Sequence, residues 1–221
     1  MICPACDCSE ILKKVKHTNF GSDVYVCANC KHGWTDYDKV FESDSVFHTQ
    51  KERADDYSKS ILTKVDGIGS IFEIGSASDF YFLKKVHKLN PDIRLYLMDS
   101  FDYFDLVPDY INFVKSIDDV EDVDITYMSH VLEHIGDVNG FLQKLKLKSK
   151  YLFLEIPCKD LSYFQEGFKS AWHYQFFNEK SFNLIMKKNA IDILEFSVHM
   201  SPYVKKCRVI YAFLNLRGKS E

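Results

Sequence analysis

Beyond Gly69 the chain alternates short apolar runs with amphipathic segments. The runs cover residues 70–75, 93–99, 110–114, 123–128 and 151–156; they are short and bounded by polar or turn-forming residues, so they predict strands. Residues 80–89 and 137–147 lie between them and carry apolar side chains at helical spacing. Strands alternating with helices predict an α/β fold built on a doubly wound, mostly parallel sheet with helices on both faces. Further along, 181–189 predicts another helix, and 191–198 and 207–214 predict two β-rich runs separated by Ser201-Pro202, an antiparallel hairpin at the sheet edge. Upstream, 49–66 sets Ala54, Tyr57, Ile61, Leu62 and Val65 at three- and four-residue intervals and stops at Gly67, the pattern of a linking helix.

The first 38 residues follow a different rule. Cys3-Pro4-Ala5-Cys6 and Cys27-Ala28-Asn29-Cys30 frame short extended pieces, which reads as a zinc ribbon of two small hairpins. Each Cys-x-x-Cys knuckle offers two thiolates from one turn, so the two pairs together supply a tetrahedral Zn2+ site. Disulfides are the competing reading of these thiols, but nothing in the sequence suggests export. Cys8 and His32 are near enough to stand in for a neighbouring ligand. With every position filled by protein the ion has a structural role. The expected organisation is a zinc-binding ribbon over residues 1–45 and a larger unit over 46–221.

Composition narrows the partners. Hydrophobic residues at 46% and aromatics at 15% provide for a buried core. A net charge of −4 argues against a general nucleic-acid binder, and Lys13, Lys14 and Lys16 form only a small basic group, most simply a solvated strand or loop. No apolar run reaches the length of a membrane span and no cleavable leader pattern opens the sequence, so a cytoplasmic protein with no membrane partner is expected.

Candidate chemistry gathers at strand ends. The first run leads through Glu73-Ile74-Gly75-Ser76-Ala77-Ser78-Asp79 directly into a helix, and such turns expose backbone amides to ligands. Asp99 ends the second run, and Ser129-His130-Val131-Leu132-Glu133-His134 follows the fourth. In this order, the three elements resemble the class I S-adenosylmethionine-dependent methyltransferases over residues 50–214, and the cysteine pairs resemble the metal module of some sugar-modifying members. The resemblance implies a Rossmann-like fold, S-adenosylmethionine as cofactor and methyl transfer to a small-molecule acceptor, a sugar nucleotide or related metabolite. It places Glu73, Gly75, Ser76 and Ala77 in the cofactor loop, with Ala77 and Asp79 standing where the family carries glycine. It gives Asp99, beside Ser100, to the ribose hydroxyls, the bland alternative being a helix N-cap. Ile117 and Asp118 would frame adenine, the alternative being a surface loop. Ser129 and His130 would face the methionine portion, while Glu133 and His134 hold the turn.

After the fifth run, a long aromatic-rich stretch reaches Trp172, His173 and Tyr174, candidates for the acceptor side, with Phe176 and Phe177 closing the end of the sheet. His173 or His130 would take the proton of a hydroxyl acceptor. A competing reading keeps the fold without catalysis, the zinc module and altered loop serving protein–protein contact. A nicotinamide dehydrogenase fits poorly, because its phosphate loop needs glycines absent here. Oligomeric state is left open.

Overall fold

A computed structural model of the chain describes residues 1–16, 23–35, 51–76, 79–100, 104–164, 173–203 and 207–218. The expected runs become strands β4 (Ser70–Ile74), β5 (Arg94–Met98), β6 (Ile111–Phe113), β7 (Val123–Ser129) and β8 (Ser149–Pro157), and the hairpin becomes β10 (Asp192–Met200) with β11 (Arg208–Asn215). They form one seven-stranded sheet in the order β10-β11-β8-β7-β4-β5-β6. The five strands from β8 to β6 are parallel, whereas β11 runs antiparallel to β8 and β10 antiparallel to β11.

Alternation of side chains across the pleat divides the core. On one face, helices α1 (Lys51–Lys64) and α2 (Tyr81–Leu89) bury Ala54, Tyr57, Ile61, Phe82, Leu83 and Val86 against Ile71, Ile125 and Phe153. On the other, α3 (Val138–Lys148) and α4 (Glu179–Lys188) cover Phe72, Met128, Leu152 and Leu154. The Asp124 carboxylate accepts from the Gly69 and Ser70 amides and the Ser70 hydroxyl, pinning the start of β4 to β7 and setting the register that carries through to their far ends.

The N-terminal residues supply β1 (Ile11–Lys16), β2 (Asp23–Cys27) and β3 (Gly33–Thr35). Instead of two self-contained hairpins, they make a sheet in the order β1-β2-β3-β9, whose last member β9 (Gln175–Phe176) comes from far along the chain. Cys3, Tyr25, Cys27, Cys30 and Trp34 belong to the same buried cluster as α3, α4 and the main sheet. The boundary expected near residue 45 lies outside the described residues. Among the described residues, no helix is long and apolar enough to cross a membrane.

Candidate active site

Strand order dictates where a ligand belongs. From β4 the chain winds outward through β5 to β6, then returns to the other side of β4 as β7. The connections leave in opposite directions there, opening a crevice beyond the carboxyl ends of β4 and β7. On one side of it, Gly75 turns the chain at φ +77°, its amide donating to the Met98 carbonyl at 2.9 Å. A Cβ at Gly75 would stand 2.4 Å from Val131 Cγ2, so only glycine lets the two turns touch. Helix α2 then begins at Tyr81, after Phe80, which is left-handed at φ 51° and whose side chain supplies no cap. Below the turn, Glu73 is buried and takes a hydrogen bond from Ser76, while among the described residues its Oε2 has no partner. Burial, then the charges of Asp99 and Asp79, push Glu73 up to about 8.

The other side is the 3-10 turn Leu132–His134 with its flanks. His130 adopts φ 57°, its amide donating to the Glu155 carbonyl at 2.8 Å. The ring lies 3.1 Å from Glu155 Oε1 through Nε2 and 3.4 Å from Glu133 Oε1 through Nδ1. Burial alone would lower its pKa, but the Glu133 and Glu155 carboxylates outweigh this and raise it to about 9. Glu133 is 1% exposed; burial opposes its charge, yet His130, His134 and His173 hold it down to about 2. His173 stacks edge-on to His134 with ring centres 4.9 Å apart, and burial lowers its pKa to about 3, so it is neutral at physiological pH. Tyr174 fixes the approach of this segment, donating its amide to the Glu133 carbonyl at 2.8 Å.

No protein-family model matches the chain, and no curated protein matches it. Solved structures do. A putative O-methyltransferase from Nostoc punctiforme superposes with a TM-score of 0.57 at 13% identity, over 74% of this chain and 56% of that one. Magnesium protoporphyrin IX methyltransferase from Synechocystis, with bound SAH, gives 0.56 at 12% identity, over 75% and 83%. The N-terminal domain of EvdMO1, in the presence of SAH and D-fucose, gives 0.53 at 8% identity, over 81% and 91%. The fold is that of the S-adenosylmethionine-dependent methyltransferases.

Glu73, Asp99 and Asp79 gather at the turn after β4; among the described residues Glu73 Oε2 and Asp79 Oδ1 are buried without a hydrogen-bond partner, and Gly75 keeps the turn open. In the folded chain Glu73 keeps its proton up to about pH 8, whereas an ordinary glutamate loses it near pH 4.5. The folded state holds the extra proton between those values, so stability falls as pH rises, by up to about 1.4 kcal/mol per pH unit. In urea unfolding of the protein, Glu73 is expected to make the fold about 2–3 kcal/mol more stable at about pH 6 than at about pH 8, and Glu73→Gln to reduce the pH dependence by that amount, leaving the part that His130, also raised, contributes in the same sense.

Asp99 is half-buried at the end of β5, accepting from Ser100 at 3.3 Å. Ser129 accepts from Arg53 at 2.9 Å. Ile117 is buried in a 3-10 turn, but Asp118 turns its carboxylate to solvent, 3.8 Å from Lys144 of α3, so nothing directs it into the crevice. Ala77 and Trp172 lie outside the described residues. Phe176 packs with Val15, Val24 and Val26 of the ribbon, while Phe177 joins the main core. Sequence reasoning missed Arg53, Tyr57 and Glu155. The fully buried Glu155 carboxylate accepts from the Tyr57 hydroxyl and lies 3.8 Å from Arg53, so α1 is fastened over the ends of β7 and β8. A lone carboxylate in the apolar run Leu152-Phe153-Leu154-Glu155-Ile156 was the available signal.

The cysteine pairs form a second centre. Cys3, Cys6, Cys27 and Cys30 place their sulfurs within 4.8 Å of one another. Three separations are 3.5–3.6 Å, close to the edge of about 3.8 Å of a tetrahedron built on Zn–S bonds of about 2.3 Å. All four are free thiols. Neither stand-in ligand joins them: Cys8 points to the Glu10 carbonyl, and buried His32 contacts Gln175 at 2.9 Å and stacks on Trp34.

Proposed function

We propose that the protein is an S-adenosylmethionine-dependent methyltransferase acting on a small hydroxylated molecule, a sugar nucleotide or a related metabolite. The crevice carries this reading: a glycine turn against Val131, the start of α2 and three carboxylates at the point where the sheet changes direction. When bound, the cofactor supplies a methyl group activated on a sulfonium. Glu73, Gly75, Ser76 and Asp99 would hold it, Asp99 accepting from the ribose hydroxyls. Ser129 and His130 would border its methionine end. His130, charged and gripped by two glutamates, fixes the turn rather than removing a proton. The acceptor's proton falls to the Glu133–His134–His173 group, where His173 is neutral. A sugar acceptor has support in the EvdMO1 domain crystallised with D-fucose. Zn2+ is the ion proposed for the cysteine quartet, on thiol number and spacing.

Asp99→Ala tests the cofactor assignment. It is expected to weaken binding of S-adenosylhomocysteine by about 1–3 kcal/mol in a calorimetric titration. Unchanged affinity would remove Asp99 from the site.

A further inference from the structure

We propose that Glu133, His134 and His173 bind a divalent transition-metal ion, distinct from the one in the cysteine quartet, that receives an oxygen-chelating acceptor. The inference rests on the methyltransferase reading only for the identity of the acceptor; the ion site stands on geometry.

One ligand atom from each of the three residues lies within 4.8 Å of the others. Bonds of about 2.0–2.2 Å to nitrogen and oxygen require donors about 3–3.5 Å apart, a spacing within the 4.8 Å bound on these atoms. Glu133 is the stronger indication. Its carboxylate is 1% exposed, and among the described residues neither oxygen accepts a well-formed hydrogen bond. A buried carboxylate in that condition costs several kcal/mol unless something charged meets it. His130 meets one oxygen at an ion-pair distance of 3.4 Å, which leaves the second for an ion. Spacing fits as well, since Glu133 and His134 are adjacent on one 3-10 turn and the Tyr174 amide bonds the Glu133 carbonyl, bringing His173 in from the other side.

Two imidazoles and one carboxylate form a facial set that suits manganese, iron, cobalt or zinc and leaves coordination positions open. Open positions distinguish this site from the cysteine quartet, where protein fills all four. An acceptor with two neighbouring oxygens can occupy them; the ion would lower the pKa of the bound hydroxyl, which would release its proton to solvent, so His173 would manage that proton as a ligand of the ion and not as a free base. The turn that carries the ligands also carries Val131, against which Gly75 packs, so the ion would sit beside the cofactor crevice.

The test uses the full chain loaded to one zinc per molecule, titrated with Mn2+ while free Mn2+ is followed by electron paramagnetic resonance. Manganese is the probe because it prefers oxygen and nitrogen and does not compete for thiolates. One Mn2+ per chain is expected, with affinity reduced at least tenfold in Glu133→Gln and in His173→Ala, both checked for folding by circular dichroism. Should both variants misfold, the wild-type complex decides alone: nitrogen modulation from bound imidazole supports the site, and its absence overturns it. Failure of Mn2+, Co2+ and Zn2+ alike to bind beyond the first zinc overturns it too, as does uptake unchanged in both variants. No cofactor is present in the titration, so a negative result leaves the methyltransferase reading standing, and a failure to bind S-adenosylmethionine leaves the ion site standing.

Discussion

Removing the Zn2+ proposed for the cysteine quartet, by a strong chelator or by Cys27→Ser, is expected to destabilise the whole chain by more than about 5 kcal/mol, because structural zinc contributes on the order of 10 kcal/mol to folding of small modules. The effect should not stop at the ribbon. Cys3, Cys27 and Cys30 pack in one cluster with α3, α4 and the main sheet, the Cys30 carbonyl accepts from Asn178 at 3.1 Å, and the Pro4 carbonyl from Asn139 at 3.0 Å. The ribbon also steadies the candidate active site. Thr35 of β3 donates its amide to the Tyr174 carbonyl at 3.1 Å, and Tyr174 in turn donates to Glu133. Gln175, held at 2.9 Å by His32, donates to the Gly136 carbonyl at 2.7 Å. Chelation should therefore lower the melting temperature and abolish activity together. A zinc-free protein with an unchanged melting profile would refute the structural role of the quartet.

His173→Ala is expected to slow methyl transfer about a hundredfold or more while leaving cofactor affinity unchanged, the size expected when a group that manages the acceptor's proton is lost. Its neutral ring, its contact with His134 and its tether through Tyr174 to Glu133 support the proposed place on the acceptor side. Single-turnover rates and S-adenosylhomocysteine affinity, measured on the same variant, check both halves. Equal rates would exclude the assignment.

How far the chain could be read follows from which signals are periodic. The five apolar runs and the closing hairpin emerge as strands within two residues of their expected limits, because buried parallel strands demand continuous apolar stretches and helices a three-to-four spacing. Strand β9 has two residues and no period to detect; its place in the ribbon is decided by pairing with Gly33 and Trp34, far away in sequence. Gly75 and Asp99 were legible, since turn and strand-tip chemistry is local. The ring of contacts around Glu155 was not, because Arg53 and Tyr57 reach it from a helix 98 residues or more upstream. Asp118 was placed by its position after β6; its amide donates to the Ser116 hydroxyl that caps the 3-10 turn, and its carboxylate lies 3.8 Å from Lys144, contacts that position in the sequence does not reveal.

Methyl transfer requires the crevice beyond Gly75 to admit an adenosyl sulfonium, with Ala77 and Asp79 standing where the resemblance implies glycine. Calorimetric titration of the zinc-loaded chain with S-adenosylmethionine addresses this directly. One cofactor per chain, with affinity lost in step with Asp99→Ala, is the predicted result; no heat of binding at millimolar cofactor would contradict it and leave a methyltransferase fold put to another use.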